Sequence, residues 1–278
     1  MDWNKTNTIL IIAFLIVNIF LFCFIYLEDN FIQRGMIEEN EEFIQNVKNI
    51  LKSKNISILC EIPKKEYKAP FLDIKYDIIY PSEALVENFI GEYGGIINDE
   101  ILFYQSNNKS LEILGRKKII YINENNSSNE IKNTQTVDNI IKDFCIEKNI
   151  GLDGFVKVDA ANIDGANLVR FVEKYKGYNL ENSYMNFYIE NGIVTKFEMQ
   201  KVVDITERAY EKSISAGEAL LRLMTMDNIK DKDISNIEIC YYTSEDKDFE
   251  NINSINVDLV WKITFDDNSF VYLIREDY

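Results

Sequence analysis

Apolar and polar positions change rhythm along the chain, and each rhythm predicts an element. Residues 8–27, TILIIAFLIVNIFLFCFIYL, carry no charge. At a rise of ~1.5 Å per residue they match the ~30 Å hydrocarbon layer of a bilayer, which predicts a transmembrane helix. A cleaved signal peptide would have a shorter apolar run and small residues near its end, whereas residues 23–27 are bulky. Lys5 before the span, and Glu28 and Asp29 after it, place the short N-terminal end inside. Within the span, Asn18 is the strong hydrogen-bonding side chain. It bonds its own backbone or contacts another transmembrane helix along the stripe Phe14, Asn18, Leu21, Ile25.

Ile32, Met36, Phe43, Val47, Ile50 and Leu51 then recur at threes and fours and predict an amphipathic helix over 31–54. From residue 56 the period becomes two. Strands are expected at 56–62, 71–80, 100–105, 111–115 and 117–122, with a short helix opened by Pro81, Ser82 and Glu83. The stretch 125–135 is polar and aperiodic and reads as a linker.

Thr136 is a candidate N-cap for a helix over 136–148, after which strands dominate. Residues 183–192 and 193–205 are expected to pair through an Asn191-Gly192 turn, and Ser215 with Glu218 has the spacing of a capping box. In NVDLVWKITF, alternation puts Val257, Leu259, Trp261, Ile263 and Phe265 on one face, the expected core, and Asp258, Val260, Lys262 and Thr264 on the other. The fold class is therefore α+β: an N-terminal transmembrane helix followed by antiparallel sheets flanked by helices. The organisation is a cytoplasmic stub at 1–7, a span at 8–27, a juxtamembrane helix at 28–54, a first α+β unit at 55–124, a linker at 125–135 and a second unit at 136–278.

Composition narrows the chemistry. The 278 residues contain 30 Lys and Arg, 46 Asp and Glu and no histidine, a formal net charge of −16. Without imidazole no Ser-His-Asp, Cys-His or His-ligated metal site can form, and so acidic a chain is no partner for nucleic acid. No Gly-rich phosphate loop, CxxC or GxSxG motif occurs. The acidic stretches read as solvated faces, and Asp231-Lys232-Asp233 lacks the glycine and terminal glutamate of a calcium loop. No catalytic, cofactor or metal-binding residue is assigned. Cys60, Cys145 and Cys240 each lie in an apolar stretch and read as small buried residues, although one bridge among them is open.

The opening MDWNKTNTILIIAFLIVNIFLF, the stretch SAGEALLRLMTMDNIKDKDISNIEICYYT at 215–243 and VDLVWKITFDD at 257–267 resemble the YycI family of two-component-system regulatory proteins. The chain departs from the family pattern at Asn7, Cys240, Val260 and Lys262. The resemblance implies a membrane-anchored accessory protein without enzymatic activity or cofactor. It would work with a YycH-like protein on the sensor histidine kinase YycG, or WalK, which controls cell-wall metabolism. An anchored cell-wall enzyme and a PepSY-like ligand-binding or inhibitor module are the alternatives. In this topology residues 28–278 lie outside the cell. A cysteine introduced at Ser128 should react with a membrane-impermeant thiol reagent in intact cells; labelling only after lysis would reverse the orientation.

Overall fold

The computed structural model describes residues 14, 17–18, 41–65, 67–92, 102–124, 136–163, 166–244 and 252–273. Phe14, Val17 and Asn18 are helical and exposed. Leu21 and Ile25 lie outside the described residues, as do most of the span, residues 28–40 and the linker at 125–135. No helix among the described residues is long and apolar enough to cross a membrane.

Four α-helices are described. α1 (Glu41–Lys52) starts with Glu41 and Glu42 and ends with Lys52, an order that suits the helix dipole, and it buries Val47 and Leu51. In α2 (Glu83–Ile90), the Ser82 hydroxyl accepts from the Leu85 N–H, so Pro81 precedes the cap instead of occupying the first turn. Gly91, at φ 78°, closes that helix by donating to the Glu87 carbonyl. Thr136 caps α3 (Val137–Glu147) through the Asn139 N–H. Ser215 and Glu218 form a reciprocal capping box on α4 (Ala216–Leu221), which continues as a 3-10 turn, Arg222–Thr225.

The strands are β1 (Lys68–Tyr76), β2 (Phe103–Ser106), β3 (Lys109–Leu114), β4 (Lys118–Asn123), β5 (Phe155–Ile163), β6 (Ala166–Tyr175), β7 (Tyr178–Glu190), β8 (Ile193–Gln200), β9 (Val202–Lys212), β10 (Ile234–Tyr242), β11 (Ser254–Phe265) and β12 (Phe270–Leu273). They form one sheet in the order β2-β3-β4-β8-β7-β10-β11-β1-β9, with β6 and β5 added beside β7 and β12 beside β11. Pairing is antiparallel except between β7 and β10. Asn191 and Gly192, both with positive φ, make the two-residue turn between β7 and β8.

Two expected strands differ. Residues 56–62 make only an isolated bridge, Ile58 to Ile234, because Ile56 and Ile62 turn into the core while Leu59 faces outward. The run 193–205 breaks at Lys201, after which the Val202 N–H bonds the Ser183 hydroxyl and the chain moves to a different neighbour, β1. β9 ends the sheet order. It pairs with β1 through two register shifts and through the ion pairs Lys75–Asp204 (2.8 Å) and Arg208–Asp73 (2.6 Å).

Helices cover the sheet in two places. α2 and α3 pack on β2, β3, β4, β6, β7 and β8, where Phe89, Phe144, Phe187 and Phe197 cluster, the last two rings 4.9 Å apart. α1 and α4 pack on β10, β11 and β12 around Trp261, Ile263 and Phe265. A smaller cluster of Leu72, Ile74, Tyr76, Leu180, Val202, Tyr241 and Val257 lies between them. Both helix-covered cores draw on residues from each side of 125–135, through pairs such as β4 with β8 and β1 with β11.

β11 is buried on both faces over Val260, Trp261, Lys262 and Ile263, and Leu259 is half-buried. Trp261, 1% exposed, donates its Nε1–H to the Ile214 carbonyl at 2.9 Å and meets the Tyr67 ring edge-on. Trp261→Ala removes that ring and its bond together. Unfolding in urea should show a loss of ~3–5 kcal/mol, and an unshifted midpoint would mean that the ring contributes nothing to the core.

Candidate functional site: a charged junction inside the sheet

The candidate site is built on an irregularity of β7. Pairing with β6 runs from Asn167↔Ile189 to Val172↔Tyr184 and resumes at Glu173↔Leu180, so Glu181, Asn182 and Ser183 bulge out of the ladder. Downstream of the bulge the other side of β7 pairs with β8. Upstream it pairs with β10, through only Asn179↔Cys240 and Leu180↔Tyr241. The bulge is therefore where the sheet passes from one helix-covered half to the other.

All three bulged residues are polar and buried, so each needs partners. The Asn182 side chain bonds the Thr243 backbone twice, donating to its carbonyl and accepting from its N–H, both at 3.0 Å. The Ser183 hydroxyl donates to Glu173 at 2.6 Å and accepts from the Val202 N–H. Gln200 donates to the Asn182 carbonyl.

Glu181, 1% exposed, sits at the centre. Its Oε2 accepts from Arg170 Nη2 at 2.9 Å and from the Tyr272 hydroxyl at 2.7 Å, and its Oε1 lies 3.4 Å from Lys262 Nζ. Lys262 also reaches Asp159 at 2.9 Å and lies 3.5 Å from Glu238. Rings enclose the cations. The Arg170 guanidinium lies 5.0 Å from the Tyr184 centroid and Lys262 Nζ lies 4.9 Å from that of Phe270, while Tyr272 stacks on Tyr242.

These side chains come from β5, β6, β7, β10, β11 and β12. On a flat sheet four strand spacings of about 4.8 Å would put β5 some 19 Å from β11. The Asp159–Lys262 contact therefore shows that this part of the sheet curls on itself around the charges.

Electrostatics keep the members in their present forms. Burial pulls Lys262 toward neutrality, but Glu181, Asp159 and Glu238 outweigh it and raise its pKa. Burial likewise opposes the Arg170 charge and Glu181 overrides it. Burial, with Glu181 beside it, pushes the Tyr272 hydroxyl up, so it stays a donor. Glu238 is raised by burial, opposed by Lys262 and reinforced by Glu181 and Asp159. The Cys240 thiol, fully buried against the same groups, is raised well above its ordinary value, chiefly by burial.

The sequence pattern placed Lys262 on the face opposite Trp261 without giving it a role, and it did not single out Arg170, Glu181 or Asp159. The available signal was a lysine between Trp261 and Ile263 in an apolar strand. Of the stripe Phe14, Asn18, Leu21, Ile25 expected to face a neighbouring helix, Phe14 and Asn18 are described, and Asn18 Nδ2 donates to the Phe14 carbonyl at 2.8 Å, the local bond within its own helix. Cys60, Cys145 and Cys240 are unpaired. Asp231 and Asp233 are engaged by the Asn55 side chain and the Ser57 N–H. Among the described residues no three His, Cys, Asp or Glu side chains form a group able to hold a metal ion. An open groove of about 440 Å³ lies between α2 and the loop after α3, with Leu85, Phe89, Met185 and Met199 lining it and Asp77, Asp153 and Lys201 among its polar lining.

Described in this way, the molecule is a mixed α+β protein, mostly sheet, with helices on two stretches of a strongly curled sheet and a charged junction between them. A family model for the YycI protein matches residues 35–273, and the chain belongs to the YycI family. The fold is similar to the crystal structure of YycH from Bacillus subtilis, with a TM-score of 0.53 at 10% identity over 77% of this chain; the chain spans about half of that one, 54%. The Bacillus megaterium YpeB C-terminal domain is matched at 11% identity over 85% of this chain and 98% of that one, with a TM-score of 0.29. A comparison with curated proteins finds no match.

Lys262 supplies positive charge to three carboxylates at once. Lys262→Met should cost about 3 kcal/mol by leaving the buried Glu181 with Arg170 as its one remaining cation and Asp159 and Glu238 without theirs, whereas Lys262→Arg, which keeps the charge, should cost clearly less. Urea unfolding of the full chain in detergent measures both. Equal losses would mean that side-chain shape, not charge, matters there.

Proposed function

We propose that this chain is a membrane-anchored extracytoplasmic regulator of a cell-wall-controlling two-component sensor kinase of the YycG or WalK type, acting with a YycH-like protein and without catalysis. The YycI family match over residues 35–273 carries this reading. The YycH-like fold and the uncharged run at 8–27 add to it. Residues 8–27 cross the membrane with the N-terminus inside, so the α+β body lies outside and regulation combines contacts there with contacts in the bilayer. Asn18 spends one N–H on the Phe14 carbonyl; its second N–H and its carbonyl oxygen are available to a neighbouring helix.

Crosslinking in membranes of the native host, followed by purification through this chain, should recover a histidine kinase and a second single-anchor protein. Asn18→Leu should preserve abundance and weaken that association roughly three- to thirtyfold, the equivalent of ~0.6–2 kcal/mol for an intramembrane hydrogen bond. Replacing the span with an unrelated anchor should do at least as much. If both variants associate and signal normally, contacts in the bilayer are dispensable; if no kinase is recovered with the native chain, the regulatory reading fails.

A further inference from the structure

Between the two helix-covered cores the backbone crosses directly at two points. One is the step from Tyr76 to Asp77 and the other the step from Gln200 to Val202, and they lie side by side, the Asp77 N–H donating to the Lys201 carbonyl at 2.8 Å. Elsewhere the halves meet at the tip of the β6–β7 hairpin, where Tyr175 and Lys176 reach Glu207, at the two β7·β10 pairs, at the Asn182–Thr243 and Ser183–Val202 bonds of the bulge, at the bond from buried Lys117 to the Ile252 carbonyl, and at the charged junction. The cores are apolar. The connection between them is mixed: Leu180, Tyr175 and Tyr178 make a small apolar contact with Tyr241 and its neighbours, and the rest is desolvated charges and hydrogen bonds, whose net contribution is small because burial of the ions offsets their attraction.

We infer that the protein is built as two separately cooperative bodies, residues 77–200 and residues 41–76 with 201–273, and that the Arg170–Glu181–Lys262–Tyr272 cluster is a latch that opens without unfolding either body. The first body supplies Arg170 and Glu181, the second Lys262 and Tyr272. Opening separates opposite charges from each other and leaves both aromatic cores intact. It gives the molecule a closed and an open arrangement between which a protein gripping one body could select.

The chain carries its own reporters. Cys240 is 0% exposed on the face of β10 that the junction covers, beside Glu181 and Arg170 of the other body. Cys145 is buried in α3, inside the first core. Pulsed alkylation of the full chain in detergent, resolved by peptide mass spectrometry across a series of low urea concentrations, follows each thiol.

Cys240 should label at least about tenfold faster than Cys145 and with a shallower urea dependence, because less surface is exposed in its opening. Val86→Ala, a truncation in α2, should accelerate Cys145 and leave Cys240 unchanged. Tyr272→Phe, which removes one hydrogen bond to Glu181, should accelerate Cys240 about tenfold. Equal rates and slopes for the two thiols, or acceleration of both by Val86→Ala, would show a single cooperative unit. An unchanged Cys240 rate in Tyr272→Phe would remove the cluster as the latch.

Discussion

A carboxylate with no access to water governs how this sheet is put together. Glu181 must be compensated where it lies, and the compensation comes from three other strands: Arg170 on β6, Lys262 on β11 and Tyr272 on β12. Those partners can converge only if the sheet curls, and curling encloses Phe270, Tyr184 and Cys240. Breaking one member strands the others, which is why such a cluster constrains geometry more than it adds net stability. The backbone provides for it locally. A three-residue bulge turns three consecutive polar side chains inward, and the Asn182 amide takes over the role of a missing ladder pair against Thr243.

β11 shows the same economy in one strand. Its first residues, to Val257, contribute to the cluster shared with β1, and Trp261, Ile263 and Phe265 to the core beneath α1 and α4. Lys262, between two of those anchors, points to the charges. A single extended segment therefore ties an apolar layer, an ionic layer and the junction between halves, and the position of Trp261 fixes that of Lys262 through strand alternation alone.

Local chemistry was legible in the sequence wherever a few neighbouring residues decide the outcome. The Asn191-Gly192 turn, the Thr136 cap and the Ser215 capping box all form, because each needs only a side chain within hydrogen-bond reach or a residue tolerant of positive φ. Features that depend on distant partners were not legible. The apolar alternation of residues 56–62 serves burial under α1 and α4 and never meets a full ladder. The run through Lys201 looks continuous until Ser183 takes the Val202 N–H. The charged site was hidden for the same reason: Asp159, Arg170, Glu181 and Lys262 span about a hundred positions, and each alone resembles a solvent-facing residue on an alternating strand.

The far end of the sheet has a consequence of another kind. β9 is eleven residues long, and among the described residues no strand pairs with its outer side, which makes it the sort of rim onto which a stray strand could zip. Its two register shifts disturb the spacing that a straight newcomer would have to match, while Asp204 and Arg208 stand as charged posts tied back to β1. A neighbour approaching this rim finds no uninterrupted template, so chains crowded side by side are discouraged from polymerising edge to edge.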